Sequence, residues 1–294
     1  MIRPDSENHE QAGRDLKVEK ARYTLTNWLL ALFLIPTALL MLLPFVWMLS
    51  TSFKLAGAVF EYPPTWIPKP LVWANYPQVL EILPFARFFL NSLVVALSVT
   101  ALQLLTCSLA AYAFARLRFP GRDVLFLGYL GTLMIPGQVV IIPNFILLRT
   151  LGWIDTYQAL ILPAAFSAFG TFLLRQYFLT IPRELEDAAV VDGASYWQIY
   201  SRVILPLSGP ALSALAIFTF LGQWNSFLYP LVVTSSTEMS TLTVGLRTLQ
   251  GQYNTAWTLL MAGSVIALIP VLLVFIFAQR YFIKGIAMTG LGGR

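Results

Sequence analysis

Charge is scarce in this 294-residue chain, where Asp, Glu, Lys and Arg together make up 11%, against about 25% in an ordinary soluble domain. Hydrophobic residues make up 57%, and eight Trp and twenty-one Phe stand among them. That balance argues against a water-soluble fold and against a disordered chain. Cysteine and histidine are almost missing. Cys107 has no partner for an internal disulfide, and His9 lies in a polar N-terminal stretch, so the partners of a Cys/His metal cluster or a Cys–His nucleophile pair are not there. No metal site is expected. The sequence also lacks a G-x-x-x-x-G-K-[ST] loop, so any ATP that drives it has to sit on another subunit.

Long runs without an acid or a base are what the chain does have. About 20 apolar residues cross a hydrocarbon core of roughly 30 Å, and runs of that kind place six spans near 26–50, 90–114, 124–144, 157–176, 210–232 and 256–279. The expected fold class is an all-α membrane protein of six transmembrane helices. The first span follows more than twenty polar residues and is too long for a signal-peptide core, so it is expected to remain as an anchor. With the N-terminus inside, fourteen Lys and Arg fall on the cytoplasmic side and five outside. The rule that short cytoplasmic loops concentrate these residues therefore puts both termini in the cytoplasm. The net charge of +5 is then a topology signal and a contact with anionic lipid, not a nucleic-acid signal.

The resulting organisation is a cytoplasmic tail at 1–24 and one transmembrane domain at 25–294. External loops are expected at 54–87 and 233–255, a large cytoplasmic loop at 180–207, and a tail at 283–294. The first external loop carries Pro63, Pro64, Pro68 and Pro70 around Trp66 and Trp73, and is expected to be ordered. Pro36, Pro44, Pro136 and Pro270 are candidate helix breaks. Gly263 with Ala267, and Ala111 with Ala115, allow close helix approach. All acids lie in the tail or in loops, which disfavours proton symport, whereas neutral sodium sites made by broken-helix carbonyls stay open. An integral-membrane enzyme would need a cluster of His, Cys or acids near an interface, and none is seen.

The most informative stretch is Ile181 to Pro206. Glu184 and Glu186 suit a helix N-terminus, Gly193 suits a left-handed helix end, and Ser195 with Gln198 fits a capping box for a second short helix. Pro206 is expected to break that second helix. Ala188 and Ala189 beside Asp187 and Glu186 fit either a docking knob or a helix lying on the membrane. Within the spans, Gln223, Trp224, Asn225 and Tyr229 offer amides, an indole and a phenol suited to a hydroxyl-rich ligand, or simply to bridging neighbouring helices.

The spacing Asp187-Ala188-Ala189, Gly193, Val203-Ile204-Leu205-Pro206 resembles the EAA loop, E-A-A-x3-G-x9-I-x-L-P, of the permeases of binding-protein-dependent ABC importers. Asp stands for the motif's Glu and Val for its Ile. The likeness continues through Pro84-Phe85-Ala86-Arg87-Phe88, Asn91-Ser92, Ala110 to Arg116, Phe119-Pro120-Gly121, Ile135-Pro136, Trp224-Asn225 and Thr241 to Leu246. Together these are similar to the smaller six-span partner of the maltose-type and glycerol-phosphate-type carbohydrate-uptake systems. The resemblance implies a transport subunit, not an enzyme, in a bacterial or archaeal cytoplasmic membrane. Its partners would be a homologous second permease, two ATP-binding subunits that hold ATP and Mg, and an extracytoplasmic binding protein that delivers a carbohydrate.

It also implies roles. Ala188, Ala189 and Gly193 would fit a cleft of the ATPase, Glu186 and Asp187 would meet its basic edge, Asp192 would make a turn contact, and Leu205-Pro206 would frame the loop. Gln250, Gly251, Gln252, Tyr253 and Asn254 would form a tip reaching the binding protein. The Gly-rich tail would either reach between the ATPases or fray. From another class, a stand-alone ion-coupled sugar carrier is the alternative.

Overall fold

The computed structural model describes the backbone at residues 5–251 and 255–290, with side chains at 27–28, 30–251 and 255–277. The expected tail at 1–24, most of the tail at 283–294 and the tip residues Gln252, Tyr253 and Asn254 therefore lie wholly or in their side chains outside the described residues. Regular structure among the described residues is helical, apart from an isolated bridge between Gln250 and Thr255. Helix α1 spans Asp5–Ser52, and short α2 (Asn75–Ile82) leads into the long α3 (Phe85–Arg116). After a turn at Gly121, where φ is +74°, come α4 (Arg122–Gly131), α5 (Gly137–Thr150), α6 (Tyr157–Ile161) and α7 (Ala168–Thr180). The loop expected on the cytoplasmic side holds α8 (Glu184–Val191), α9 (Tyr196–Ile199) and α10 (Leu205–Leu207). Then follow α11 (Gly209–Trp224), α12 (Leu228–Val233), α13 (Leu242–Arg247) and α14 (Trp257–Gly290).

Among the described residues, three stretches are long and apolar enough to cross a membrane unbroken: Leu30–Ser52, Phe85–Arg116 and Trp257–Phe277. The other expected spans are bent or interrupted, which corrects the picture of six plain helices. At 124–144 the chain bends by 98° between Met134 and Gly137. The extended backbone of Ile135 and Pro136 makes that corner, as the steric bias of a residue before proline requires. At 157–176, α6 ends before Pro163 and Ser167 caps α7 by accepting the Gly170 N–H at 3.0 Å. Carbonyls freed by this break meet donors on α3: Gln103 Nε2 to Ala164 O and Thr106 Oγ1 to Ala165 O, both at 2.7 Å, and Cys107 Sγ to Ser167 O at 3.4 Å. Broken helices persist in apolar surroundings only when such partners are supplied. Pro36, Pro44 and Pro270, by contrast, sit inside continuous helices, so of the four candidate breaks only Pro136 is one.

Helix α3 runs through all three buried clusters. Phe88 and Ala96 join Phe220, Trp224, Leu242 and Leu260 at one end. Val95 and Val99 meet Leu148, Leu160 and Val233, and Cys107, Ala111 and Ala115 meet Leu174, Phe178, Ile204 and Leu215 at the other. Between apolar helices in lipid the hydrophobic effect contributes little, so fit and hydrogen bonds set the packing. Glycines mark the closest approaches. A Cβ on Gly170 would lie 2.9 Å from Cys107 Sγ, and one on Gly263 would lie 2.5 Å from Leu246 Cδ2. Leu32, Phe33, Leu40 and Met41 of α1 and Val124 and Leu127 of α4 are exposed, as a surface meant for lipid or a neighbouring subunit would be.

The expected external loop at 233–255 is mostly packed, not free. Asn91 Nδ2 donates to Glu238 O at 2.8 Å and Ser240 O at 2.9 Å, Tyr157 OH donates to Asn91 Oδ1 at 2.6 Å, and the Leu242 N–H donates to Ser92 Oγ at 2.8 Å. Asp155, with φ +63°, adopts the left-handed conformation that Asp and Asn tolerate best. Its Oδ1 accepts the N–H groups of Ser235 and Ser236 at 2.9 and 3.0 Å. Burial pushes this carboxyl up, but those donors outweigh it and hold it below the usual carboxylate value. A carboxyl held down in the folded state stabilises fully above its ordinary pKa of about 3.9, and that contribution is lost as the pH falls through the depressed value. Asp155→Asn keeps the backbone conformation and removes the charge. Thermal unfolding of this variant should fall below wild type by a few degrees at pH 7, with the difference closing below about pH 4.

Candidate functional site

The turn between α8 and α9 is built from local rules. The Ala194 N–H donates to Ala189 O at 2.9 Å and the Gly193 N–H to Val190 O at 3.0 Å, the paired bonds of a Schellman end. That end needs Gly193 at φ +78°. Ser195 Oγ accepts the Gln198 N–H at 3.4 Å while Gln198 Oε1 accepts the Ser195 N–H at 2.7 Å, completing the capping box. The helix opened by this box continues through a π-helical turn, Tyr200–Ile204, and Leu205–Leu207. Pro206 is absorbed by the wide turn before it. The break falls instead at Ser208, where the chain bends by 78° into α11 with Pro210 in its first turn.

The residues of the motif divide between two faces. Asp187 and Ala188 are exposed, with Leu185, Val190, Val191, Tyr196 and Trp197 around them. Ala189 is half-buried against the cluster containing Phe178 and Ile199, so the expected flat Ala188-Ala189 patch is split, with Ala188 outward and Ala189 inward. Ala189, Asp192, Gly193 and Arg202 line a cleft of about 250 Å³ behind α8. Leu205 packs on the same cluster as Ala189, and Pro206 is exposed.

Glu186 turns inward as well. Its Oε1 lies 2.8 Å from Arg116 Nε, with the two side chains 15% and 3% exposed. Arg116 also donates to the carbonyls of Phe178 and Ile181. The acid that the resemblance assigned to a partner's basic edge thus already has a cation within the chain. Burial outweighs the attraction of Arg116 and Arg183 and leaves the Glu186 carboxyl above its usual value. Arg116 was missed as a functional residue. Its signal was its place as the first charge after an apolar run of more than twenty residues, in reach of a loop rich in acids.

Of the polar residues expected in the membrane, two converge. Gln223 and Tyr229 line a cleft of about 500 Å³ together with Gln138, Asn144, Ser226 and Phe227. Tyr229 OH donates to Ala159 O at 2.8 Å, so its ring rather than its hydroxyl is free to meet a ligand. Trp224 and Asn225 are not brought there. Trp224 is buried in the cluster of Phe220 and Leu260 and donates from Nε1 to Ala267 O at 3.1 Å, and Asn225 Nδ2 donates to Leu221 O at 2.9 Å at the end of its own helix. Successive residues of a 3.6-residue helix point about 100° apart, so Gln223, Trp224 and Asn225 cannot share one direction. Gln138 and Asn144 were overlooked, although an amide inside an apolar stretch that also carries Pro136 and Pro143 is a signal in itself. At the loop expected to be external, Gln250 and Gly251 are exposed, and Gln250 pairs with Thr255.

Residues 103–288 match the model of the binding-protein-dependent transport system inner membrane component family. The arabinooligosaccharides transport system permease protein AraQ of Halalkalibacterium halodurans is 38% identical over 270 residues, covering 91% of this chain and 97% of that protein. The sn-glycerol-3-phosphate transport system permease protein UgpE of Yersinia pestis bv. Antiqua is 37% identical over 236 residues, covering 78% and 84%. Among solved structures, a chain of a bacterial ABC transporter involved in the import of the acidic polysaccharide alginate superimposes with a TM-score of 0.79 at 26% identity, covering 90% of this chain and 98% of that one. A second alginate transporter structure, in complex with an alginate pentasaccharide-bound periplasmic protein, shares the fold at a TM-score of 0.61 and 18% identity. An all-helical chain with apolar spans, a capped two-helix turn and these relatives along nearly its whole length belongs to the family of inner-membrane components of binding-protein-dependent transport systems, the permeases of ABC importers.

Proposed function

We propose that this chain crosses the cytoplasmic membrane of a bacterium or archaeon six times with both termini inside, and that α8 to α10 form its coupling element. Two partner ATPases, holding ATP and Mg, would receive α8 on the cytoplasmic side, and a homologous permease would complete the pathway. An extracytoplasmic binding protein would deliver a carbohydrate, polyol or glycoside. The observation that carries this reading is the exposed apolar surface of Leu185, Ala188, Val190, Val191, Tyr196 and Trp197 around a turn whose hydrogen bonds are locally complete. Asp187, rather than Glu186, would meet the ATPase.

The membrane cleft supports the choice of cargo. Amides, a hydroxyl and aromatic rings line it, with no Lys or Arg. Such a lining suits neutral hydroxyl-rich molecules better than a phosphate ester or an acidic sugar, which would leave an unpaired charge in a low-dielectric site. A stand-alone ion-coupled carrier is not favoured, since the relatives are permease components.

Ala188→Glu adds bulk and an unpaired charge on the docking face, and Gly193→Val forces a β-branched residue into a left-handed conformation. No atom lies within 4 Å of a Cβ built on Gly193, so the second change acts through conformation alone. Both variants should insert at wild-type abundance, retain less ATPase on purification, and lose about tenfold or more of sugar uptake per ATP hydrolysed, the loss that about 1.4 kcal/mol produces. Wild-type coupling in both would remove the assignment.

A further inference from the structure

At the end of α1, Trp47, Ser50 and Thr51 are spaced i, i+3 and i+4, which places them on one face, and Lys54 follows two residues after the helix ends at Ser52. Ser50, Thr51 and Lys54 are 7%, 1% and 1% exposed. The Lys54 ammonium stands 4.0 Å from the centre of the Trp47 ring. Every backbone carbonyl from Ser50 to Lys54 is already an acceptor. Ser50 O takes the Phe53 N–H at 3.1 Å, Thr51 O takes the Lys54 N–H at 3.1 Å, and Phe53 O takes the Val72 N–H at 2.9 Å. The Asn75 amide serves the carbonyls of Ser52 and Lys54 at 2.8 and 2.9 Å. The Ser52 hydroxyl donates to Leu49 O at 2.7 Å and meets Tyr76 OH at 2.9 Å.

Against this saturated background, Ser50 Oγ, Thr51 Oγ1 and Lys54 Nζ have no hydrogen-bond partner. Nor does any Asp or Glu among the described residues form an ion pair with Lys54. A buried ammonium is retained only where an opposite charge or a set of acceptors compensates it. The face of an indole does so in part. Ammonium groups only donate, and hydroxyls can donate, so the group that completes this corner is an acceptor, and the unbalanced charge makes it an anion.

We infer that Ser50, Thr51 and Lys54 bind a small inorganic anion of the chloride type, enclosed at the end of the first span. The anion would tie α1 to the Pro- and Trp-rich segment that begins at Lys54. A water molecule would satisfy the donors but leave the charge unbalanced, which gives the experiment its contrast.

The test uses the full chain, co-purified with its transporter partners in lipid nanodiscs. Its unfolding midpoint is measured in sodium chloride, sodium bromide and sodium gluconate at one ionic strength. Chloride and bromide should raise the midpoint saturably by several degrees over gluconate, as a ligand bound to the native state must. Lys54→Met should lose that halide increment. If Lys54→Met fails to insert, the paired variant Ser50→Ala with Thr51→Val carries the test through loss of the same increment. Equal midpoints in halide and gluconate, or an undiminished increment in the variants, would overturn the site and leave water as the occupant.

Discussion

Gly245→Ala is expected to lower the melting temperature of this protein by about 6–12 °C, although it adds a single methyl group. A Cβ at this position would stand 2.1 Å from Phe88 Cδ2 and 2.3 Å from Phe88 Cε2. Phe88 cannot swing away. It is 1% exposed and wedged in the cluster of Phe85, Leu242, Leu246 and Trp224. Overpacking a tight core costs about 1–3 kcal/mol and sometimes more, and at this separation about 3 kcal/mol is the appropriate scale, equivalent to about 6–12 °C in Tm for a chain of this size. A second change, Phe88→Leu, should give back part of the loss in the double variant while being destabilising alone. Non-additivity of that sign is the signature of a direct contact. Wild-type melting of Gly245→Ala would mean that α13 does not lie against α3 as described.

Arg116→Met should be at least as damaging and should damage transport as well. The guanidinium faces Glu186 and the carbonyls of Phe178 and Ile181 from a position that is 3% exposed, so removing it strands a buried carboxylate and two buried acceptors at once. Breaking such a pair costs about 3–5 kcal/mol, whereas the intact pair need contribute little net stability. The double variant Arg116→Met with Glu186→Gln should therefore melt above Arg116→Met alone. Acidity gives a further check. The Glu186 carboxyl already sits above its usual value because of burial, and loss of Arg116 raises it further. A raised carboxyl pKa favours the folded state below its unfolded value, and the benefit disappears as the pH rises through the folded value. The defect of Arg116→Met should thus deepen from pH 5 to pH 8. Because Arg116 closes α3 onto the start of the loop proposed to couple to the ATPase, uptake per ATP hydrolysed should fall in the same variant.

How far the sequence discloses this molecule depends on the range of the forces involved. Local rules were legible: Gly193 in a left-handed helix end, Ser195 with Gln198 as a capping box, and an ordered segment around Trp66, whose ring meets Trp47 at 5.2 Å. The first two are decided within a few residues, and the third by a chain segment rich in Pro and Trp close to the end of α1. Hydropathy also located every apolar run, but it could not show that Ile135-Pro136 or Pro163 would bend or interrupt a run while Pro36 and Pro44 would not. The difference lies in partners. Gln103 and Thr106 of α3 accommodate the break near Pro163 from about sixty positions away in the chain, and nothing near Pro163 announces them. The same limit explains the candidate sites. Gln223 and Tyr229 needed α5 to become a cleft, and Glu186 needed Arg116 to turn inward, so composition named the side chains and tertiary packing chose their direction.

The buried position of Cys107 has a practical side. The chain contains one thiol, which is 1% exposed, turned toward the Ser167 carbonyl and shut in by the backbone of Gly170. Water-soluble maleimides and spin labels have no route to such a sulfur. The unmodified sequence is therefore its own blank for chemical labelling, and a cysteine introduced anywhere else would report its surroundings without interference from the native one.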